Sequence, residues 1–260
     1  MVLQVTGLTK TFGTFTAVDN IDISLSAGEI LGFLGPNGAG KTTTIKILAG
    51  LLQPDNGQIH ILDNNLSKNP ERCKKQTGYI PDRPFIYEKL TGNEYLHFIA
   101  SLYERKRTFN VKKETERYLN LFDLLEWRDH LIEGYSHGMR QKLIMTSILM
   151  LDQPLIIVDE PMVGLDPKSA RIVKELFKKK AERGGSIFLS THSLEIAEEL
   201  CDRIAIIVQG KIKAIGTVDF LYQQAQTAED SLEDIFLQLT GTHELKEIVS
   251  ALRGHERPRE

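Results

Sequence analysis

The feature that most constrains this chain is a glycine-rich octapeptide that lies between an apolar stretch and a helical pattern. The octapeptide spans residues 35–42 and matches the spacing G-x-x-x-x-G-K-[ST]. Residues 28–34, which precede it, are almost continuously apolar, as in a strand that is buried on both faces. Residues 41–49, which follow it, are expected to form a helix. The order strand, loop and helix therefore predicts a phosphate-binding site in an α/β fold.

Each position of this loop has an expected role in nucleotide binding. Glycines let the backbone approach a phosphate group closely, and successive N–H groups then surround the anion. Lys41 is expected to reach the β- and γ-phosphates, and Thr42 to offer its hydroxyl to Mg²⁺. A glycine-rich turn without a ligand is the alternative, and the flanking strand and helix make it improbable. The predicted nucleotide-binding residues of this segment are Gly35, Pro36, Asn37, Gly38, Ala39, Gly40, Lys41, Thr42 and Thr43.

Two adjacent acids end a second apolar strand. Residues 155–158 are Leu-Ile-Ile-Val, and Asp159 and Glu160 follow directly. Ligands of α/β folds bind at the carboxyl ends of such strands. Asp159 suits an indirect or water-mediated contact to Mg²⁺, and Glu160 suits the orientation or deprotonation of an attacking water. Solvated acids at a strand exit are the alternative, which the phosphate loop in the same chain disfavours.

Hydrophobic periodicity divides the chain into a core, an insertion and an extension. Residues 1–86 and 152–220 show strand and helix patterns, and alternation of apolar and polar residues near the N-terminus predicts antiparallel strands. Residues 87–151 show helical spacing and little strand signal, which predicts an inserted helical subdomain with residues 135–142 near its end. Residues 221–260 are expected to form a helical extension, with an amphipathic helix at 231–237, and a polar tail.

Charge and cysteine content exclude several other classes of protein. The 32 basic and 35 acidic residues give a net charge of −3, which does not favour a nucleic-acid partner. Two cysteines provide neither a disulfide framework nor a zinc site, as expected in an intracellular compartment. The longest apolar run is about half of the roughly 20 residues that a bilayer requires. Any membrane location is therefore expected to depend on a partner.

Further motifs complete a recognisable order along the chain. They are Thr11-Phe12-Gly13, Gly78-Tyr79-Ile80-Pro81-Asp82, Tyr135-Ser136-His137-Gly138-Met139-Arg140-Gln141-Lys142, Gly164-Leu165-Asp166-Pro167 and Ser190-Thr191-His192. With the phosphate loop and the paired acids, this order resembles that of the ATP-binding-cassette (ABC) ATPases over about residues 3 to 220. The resemblance implies a P-loop NTPase (RecA-like) α/β core with an antiparallel β subdomain and an inserted α-helical subdomain.

The resemblance also implies roles for individual residues around the nucleotide. Phe12 is expected to stack on adenine, with Phe15 as the alternative if the register differs, and Val18 to pack on the base. Asp82 occupies the position of the Q-loop glutamine that senses the metal and the γ-phosphate, so a switch role with Mg²⁺ binding is expected, and a simple loop acid is the alternative. His192 matches the histidine that contacts the γ-phosphate, and it is assigned to catalysis with Glu160 and Lys41.

A second anion site is implied by the motif at residues 135–142, which resembles the family's signature loop. Ser136, His137, Gly138 and Met139 occupy it, although the usual sequence is L-S-G-G-Q. In the family this loop faces the phosphate loop of another subunit, and Asp166 of the D-loop links the two nucleotide sites. One phosphate loop and one signature loop in the chain imply a homodimer or a pair with a sister subunit.

The implied activity is ATP hydrolysis coupled to transport, with ATP and Mg²⁺ as ligands. The signature variant and the segment Leu-Glu-Asp-Ile-Phe-Leu resemble subunits of bacterial ABC-2-type exporters, so a separate integral membrane permease would hold the chain at the cytoplasmic face of the membrane. A soluble ABC ATPase of iron–sulfur cofactor assembly is the alternative, because it also has a single cassette. An unrelated P-loop kinase is disfavoured by the signature and D-loop motifs.

Overall fold

The computed structural model describes residues 1–103, 110–224 and 232–240. The strands are β1 (Leu3–Phe12), β2 (Phe15–Leu25), β3 (Ile30–Leu34), β4 (Asn56–Ile61), β5 (Asn64–Asn65), β6 (Thr77–Ile80), β7 (Leu155–Asp159), β8 (Ser186–Thr191), β9 (Arg203–Val208) and β10 (Lys211–Gly216). The helices are α1 (Lys41–Leu48), α2 (Pro70–Gln76), α3 (Gly92–Leu102), α4 (Val111–Leu121), α5 (His137–Leu149), α6 (Pro167–Glu182), α7 (Leu194–Leu200), α8 (Val218–Gln224) and α9 (Leu232–Thr240). Two 3₁₀ turns lie at Leu125–Trp127 and Ile132–Gly134.

A six-stranded sheet forms the centre of the fold, in the order β10-β9-β3-β8-β7-β6. Its strands are parallel except for β10, which pairs antiparallel with β9 at one edge. Strand β3 leads into the phosphate loop, β8 lies beside it, and β7 follows next. All three strands therefore end at the same edge of the sheet, where ligands of parallel α/β sheets bind.

A second, four-stranded sheet is antiparallel, in the order β2-β1-β4-β5. Strands β1 and β2 form a hairpin in which Leu3 pairs with Leu25 and Phe12 pairs with Phe15. The alternation of apolar and polar residues places one face of this hairpin against the core. The predicted α/β fold class with an antiparallel part is confirmed.

Alternate residues of the central strands pack into two apolar clusters, one on each face of the sheet. Ile157 of β7 and Phe188 of β8 pack with α1 and with the antiparallel sheet. Their neighbours Val158 and Leu189 pack on the other face, with α5, α6 and α7. Every residue of β3, β7 and β8 is buried, which explains why apolar residues follow one another at 30–34, 155–158 and 187–189 instead of alternating with polar ones.

Residues 87–151 contain α3, α4 and α5, and their described part includes no strand beyond an isolated bridge between Thr91 and Leu131. Helix α3 begins with a capping box, in which Thr91 and Glu94 satisfy each other's backbone N–H groups. Helix α5 packs against both α3 and α4 and against β6. This helix therefore joins the helical part to the central sheet.

Several elements differ from the sequence-based expectations. Strands β6 and β10 are not predicted, because one is only four residues long and the other is a half-exposed edge strand. Helices α2 and α8 are not predicted either, because each is short and lacks a helical spacing of apolar residues. The amphipathic helix expected at 231–237 is found as α9 at Leu232–Thr240, while Ser231 and the tail beyond 240 lie outside the described residues. Across the described ranges, no helix combines the length and apolar character that a membrane span requires.

Candidate nucleotide-binding site

A pocket of about 450 Å³ lies at the carboxyl edge of β3, β7 and β8. It brings together segments that are far apart in sequence, namely the phosphate loop, the paired acids and the end of β8. Its lining residues are Phe15, Ala17, Asn37, Gly38, Gly40, Lys41, Thr42, Thr43, Asp82, Asp159, Glu160, Val163 and His192. Most of the predicted phosphate-loop residues and all three predicted catalytic residues therefore border one cavity.

The phosphate loop has a conformation that depends on two glycines with positive φ. Gly38 has φ +79° and Gly40 has φ +107°, values that side-chain-bearing residues rarely adopt. A Cβ atom at Gly40 would lie 2.3 Å from the carbonyl oxygen of Ala17, whereas a Cβ at Gly38 would meet no protein atom within 4 Å. Gly40 is the N-cap of α1, so the loop delivers the chain directly into a helix whose N-terminus borders the pocket.

Lys41 is held inside this loop. Its ammonium group donates hydrogen bonds to the carbonyl oxygens of Gly35 at 2.6 Å and Pro36 at 3.1 Å. Burial lowers the pKa of Lys41 from its ordinary value, and the carboxylates of Glu160 and Asp159 oppose that shift. The loop carbonyls thus fix the position of the Lys41 ammonium, and the nearby carboxylates neutralise its charge only in part. A binding site for a polyanion requires such a cation.

The two acids at the end of β7 differ in their surroundings. Asp159 is 3% exposed, and one of its oxygens accepts a hydrogen bond of 2.5 Å from the Ser190 hydroxyl. Glu160 has a positive φ of 48°, and its N–H donates to the Ser190 carbonyl at 3.2 Å. This turn separates the directions of the two side chains, since Glu160 reaches Nδ1 of His192 at 2.9 Å instead. Ser190 is a supporting residue to which sequence reasoning assigned no role of its own.

The aromatic residues of the β1–β2 hairpin lie at the pocket's outer side. Phe15 lines the pocket, whereas Phe12 lies opposite it in the hairpin and does not line the cavity. Both rings are exposed, and the Lys10 ammonium lies 5.6 Å from the centre of the Phe12 ring. Val18 is fully buried in the apolar core and contributes nothing to the lining.

Asp82 reaches the pocket from the loop that follows β6. Tyr79, in β6, has its pKa raised to about 12, chiefly by burial and secondarily by the carboxylates of Asp159 and Asp82. Asp82 and Asp159 both line the cavity, so their carboxylates place negative charge at its β6–β7 side. Such a charge requires a cation when a nucleotide binds there.

The predicted signature residues lie outside the pocket. Ser136 is the N-cap of α5 and accepts a hydrogen bond of 3.3 Å from the Met139 N–H. The His137 ring packs against Gly164, since a Cβ on that glycine would lie 2.7 Å from the ring. Gly138 likewise lies close to the Gly164 carbonyl oxygen. Residues 136–139 and the turn after Glu160 therefore form one surface beside the pocket rather than part of its wall.

The Asp166 carboxylate makes its contacts within its own chain. It is the N-cap of α6, accepts from the N–H and hydroxyl of Ser169, and pairs with Lys142 at 2.8 Å. The Lys142 ammonium and the Ser169 donors hold the pKa of the Asp166 carboxyl well below its usual range. In this structure the carboxylate fixes the start of α6.

Comparisons with known proteins agree with this geometry. A family model described as "ABC transporter" matches residues 18–163, more than half of the chain. The chain is 32% identical to the ABC-type transporter ATP-binding protein EcsA of Bacillus subtilis over 92% of this chain and 96% of the relative. It is 37% identical to the SkfA peptide export ATP-binding protein SkfE of the same species, over 86% and 93% of the two chains.

Solved structures give the same result for the fold. A structure described as an ATP binding subunit of an ABC transporter has a TM-score of 0.86 and 34% identity, and the match covers 92% of this chain and all of the other. A dimeric cassette, MJ0796, bound to ADP and phosphate has a TM-score of 0.75 at 21% identity, over 83% and 98% of the two chains, so it supports the fold alone.

Proposed function

The chain belongs to the ABC transporter family as an ATP-binding subunit, and we propose that its ATP hydrolysis drives a separate membrane permease that exports its substrate. One observation carries the chemical part of this proposal. Lys41, Glu160 and His192 come from three different elements and border a single pocket at the end of a parallel sheet. A glycine-rich turn or a solvated acid pair without a ligand would not require this convergence.

In the proposed reaction, a water molecule attacks the γ-phosphorus of ATP, and Glu160 accepts its proton. A bond forms between the water oxygen and phosphorus, the bond from phosphorus to the bridging oxygen breaks, and ADP and phosphate leave. Lys41 stabilises the negative charge on the transferred group. The contact between His192 and Glu160, at 2.9 Å, orients the carboxylate and brings the imidazole close to the γ-phosphate.

The described residues fit Mg²⁺ as the accompanying cation. Thr42, Asp82 and Asp159 offer one hydroxyl and two carboxylates around the same cavity, and hard oxygen ligands of this kind suit Mg²⁺. Asp159 and Asp82 both line the cavity, so a bound cation would offset the charge of their carboxylates. When bound, Mg²⁺ neutralises phosphate charge and orients the phosphate chain.

Adenine recognition is proposed for the β1–β2 hairpin. A nucleotide whose phosphates fill the cavity would extend its base towards the exposed rings at the hairpin end. We assign stacking on the base to Phe12, with Phe15 closing the cavity beside the ribose. The buried position of Val18 supports a packing role beneath the hairpin rather than a contact to the base.

ATP-dependent dimerisation is proposed to drive the conformational change of the permease. The N-terminus of α5, with Ser136 and Gly138, is a potential anion site that does not line this chain's own pocket. A second copy, or a sister subunit, would bring it onto the γ-phosphate of ATP and so close two sites at once. ATP then favours the closed pair, and hydrolysis removes that preference.

Export through a permease is proposed from the relatives and from one exposed surface. SkfE is named as a peptide export protein, and a further relative, LnrL of Bacillus subtilis, as a linearmycin resistance protein with 38% identity over 83% of this chain and 69% of its own. Phe85, in the loop after Asp82, is 97% exposed and offers an apolar contact to a permease. Such a complex would hold the chain at the cytoplasmic face of the membrane.

Two variants test the enzymatic proposal. Lys41→Ala should lose most ATP binding, because the loop loses its only buried cation among the described residues. Glu160→Gln should bind ATP, hydrolyse it slowly and accumulate as a dimer, as measured by phosphate release and size-exclusion chromatography with light scattering. Hydrolysis by Glu160→Gln at the wild-type rate would exclude Glu160 as the base.

A tagged pull-down from gently solubilised cells tests the transport proposal. A polytopic membrane protein recovered in stoichiometric amount, with retention of both proteins on ATP addition, is the expected result. A soluble partner alone would contradict it and favour the cofactor-assembly alternative. Glu160→Gln is the better bait, because the ATP-bound state would persist during purification.

A further inference from the structure

We infer that Gln141 and Arg140 are positioning residues that tie the signature turn to the loop that carries Asp82. The two residues are neighbours in α5, whose N-cap is Ser136. The inference rests on the proposed function, because it concerns how the nucleotide pocket and the proposed dimer surface move together. It assigns no catalytic contact to either residue.

Gln141 holds the beginning of the loop. Its side chain is fully buried, and Nε2 donates a hydrogen bond to the Pro81 carbonyl at 3.3 Å. Its Oε1 atom has no hydrogen-bond partner in the described part of the chain. A buried amide is costly unless it is bonded, so an apolar residue would suit this position better if packing were its only role. The bond it makes reaches the residue directly before Asp82.

Arg140 holds the end of the same loop. Nη1 pairs with Glu88 at 2.5 Å, while Nε and Nη2 donate to the carbonyl oxygens of Tyr135 at 3.1 Å and Glu133 at 3.0 Å. The Glu133 N–H also donates to the Glu88 carbonyl at 3.0 Å. The guanidinium therefore joins Glu88 to the turn that precedes α5, with a planar set of donors that a lysine would not reproduce.

The loop between these two anchors, residues 81–88, connects two distant environments. Asp82 lines the nucleotide pocket near one end, and Phe85 and Tyr87 are exposed further along. Both anchors are side chains of the same helix, α5, whose N-cap is Ser136. A displacement of Asp82 by nucleotide is therefore transmitted to the signature turn through one rigid element, rather than being absorbed within a free loop.

Limited chymotrypsin digestion of the nucleotide-free protein tests the first anchor without depending on activity. Gln141→Met keeps the approximate length of the side chain and removes the donor to Pro81, so cleavage after the exposed Phe85 and Tyr87 should be about three- to tenfold faster. Gln153→Met is the matched control, because Gln153 is also a buried glutamine but makes no hydrogen bond with its side chain among the described residues. Unchanged cleavage of this loop in Gln141→Met would overturn the inference.

A double-mutant cycle with Asp82→Ala tests the coupling to function. In the wild-type background, Gln141→Met should lower kcat about three- to thirtyfold and leave the KM for ATP within about twofold. In the Asp82→Ala background it should have no further effect, because it acts through that loop. Equal reductions of kcat in both backgrounds would indicate a merely structural role and overturn the inference.

The second anchor has its own variant, which avoids any buried position. Glu88→Gln removes the ion pair with Arg140 at a half-exposed site and leaves the two carbonyl contacts intact. Exchange should then accelerate at the amide of Glu133, whose N–H donates to the Glu88 carbonyl, and unchanged exchange there would remove Arg140 from the inference. Failure of the proposed function would instead be seen as a wild-type chain that neither binds nor hydrolyses ATP, whatever the exchange data show.

Discussion

Replacing Gly40 by alanine tests whether the conformation of the phosphate loop is set by a close backbone approach. A Cβ at this position would lie 2.3 Å from the Ala17 carbonyl oxygen, and the residue has φ +107°. The contact is with main-chain atoms of β2, so it cannot be relieved by rotation of a side chain. Gly40→Ala must therefore shift either the loop or the strand.

Gly38→Ala is the matched control within the same loop. Gly38 has φ +79°, but no protein atom lies within 4 Å of its would-be Cβ. Gly38→Ala therefore has only the cost of placing alanine in the left-handed conformation, about 1–2 kcal/mol. The lower entropy of the unfolded chain offsets about 0.4–1 kcal/mol of that cost. Gly40→Ala adds a steric cost of about 1–3 kcal/mol. We expect a loss of about 1 kcal/mol at Gly38 and about 2–4 kcal/mol at Gly40.

Urea and thermal unfolding without nucleotide measure this difference directly. At this chain length, each kcal/mol corresponds to about 2–4 °C in Tm, so the additional steric cost of about 1–3 kcal/mol should lower the Tm of Gly40→Ala by about 2–12 °C relative to Gly38→Ala. Calorimetric titration with ATP then shows whether the distorted loop also binds more weakly. Equal stability of the two variants, or a less stable Gly38→Ala, would refute the steric argument.

Three further predictions concern other parts of the site. Phe12→Ala should weaken ATP binding about five- to 150-fold by loss of stacking, measured by titration calorimetry, while a larger loss in Phe15→Ala would transfer the stacking role to Phe15. Asp55 accepts from Lys10 at 2.8 Å and from the Thr11 N–H at 2.6 Å, which holds its pKa well below the usual range. The resulting stability is present above the unfolded pKa of about 4 and is lost as the pH falls through the folded pKa. Asp55→Asn should therefore lower the Tm at neutral pH and make the Tm depend less on pH in the acid range. An unchanged profile of Tm against pH would contradict this. Asp166→Ala removes an N-cap and should cost about 1–2 kcal/mol of unfolding free energy, whereas Asp166→Asn keeps the cap and should cost less; equal losses in urea unfolding would show that charge, not capping, matters there.

Much of the fold follows from local patterns in the sequence. The continuous apolar runs at 30–34 and 155–158 predict strands buried on both faces, and the glycine spacing at 35–42 predicts the turn between strand and helix. Both predictions are local, because they depend on side-chain period and on backbone freedom. Strand β6 was missed since its four residues carry too little pattern, and it is stabilised by its pairing with β7.

The arrangement of the site could be anticipated only in part. Asp159 and Glu160 are adjacent, but the positive φ of Glu160 and the hydroxyl of Ser190 decide which carboxylate is buried and which meets His192. Neither contact has a sequence signal, since each joins residues about thirty positions apart. The exclusion of Phe12 and Val18 from the cavity lining likewise depends on how the hairpin packs against the central sheet.

Local patterns in the sequence identify the candidate chemical groups of this protein: a phosphate loop, two acids at the end of one strand, and a histidine at the end of another, in an order that resembles one family. Long-range packing determines which of these groups share a pocket. The order β3-β8-β7 brings Lys41, His192 and Glu160 to one edge, while the residues 136–139 are left on the surface beside it. Strand order is set by the burial of apolar faces between elements that are distant in sequence, and no local spacing of residues encodes it.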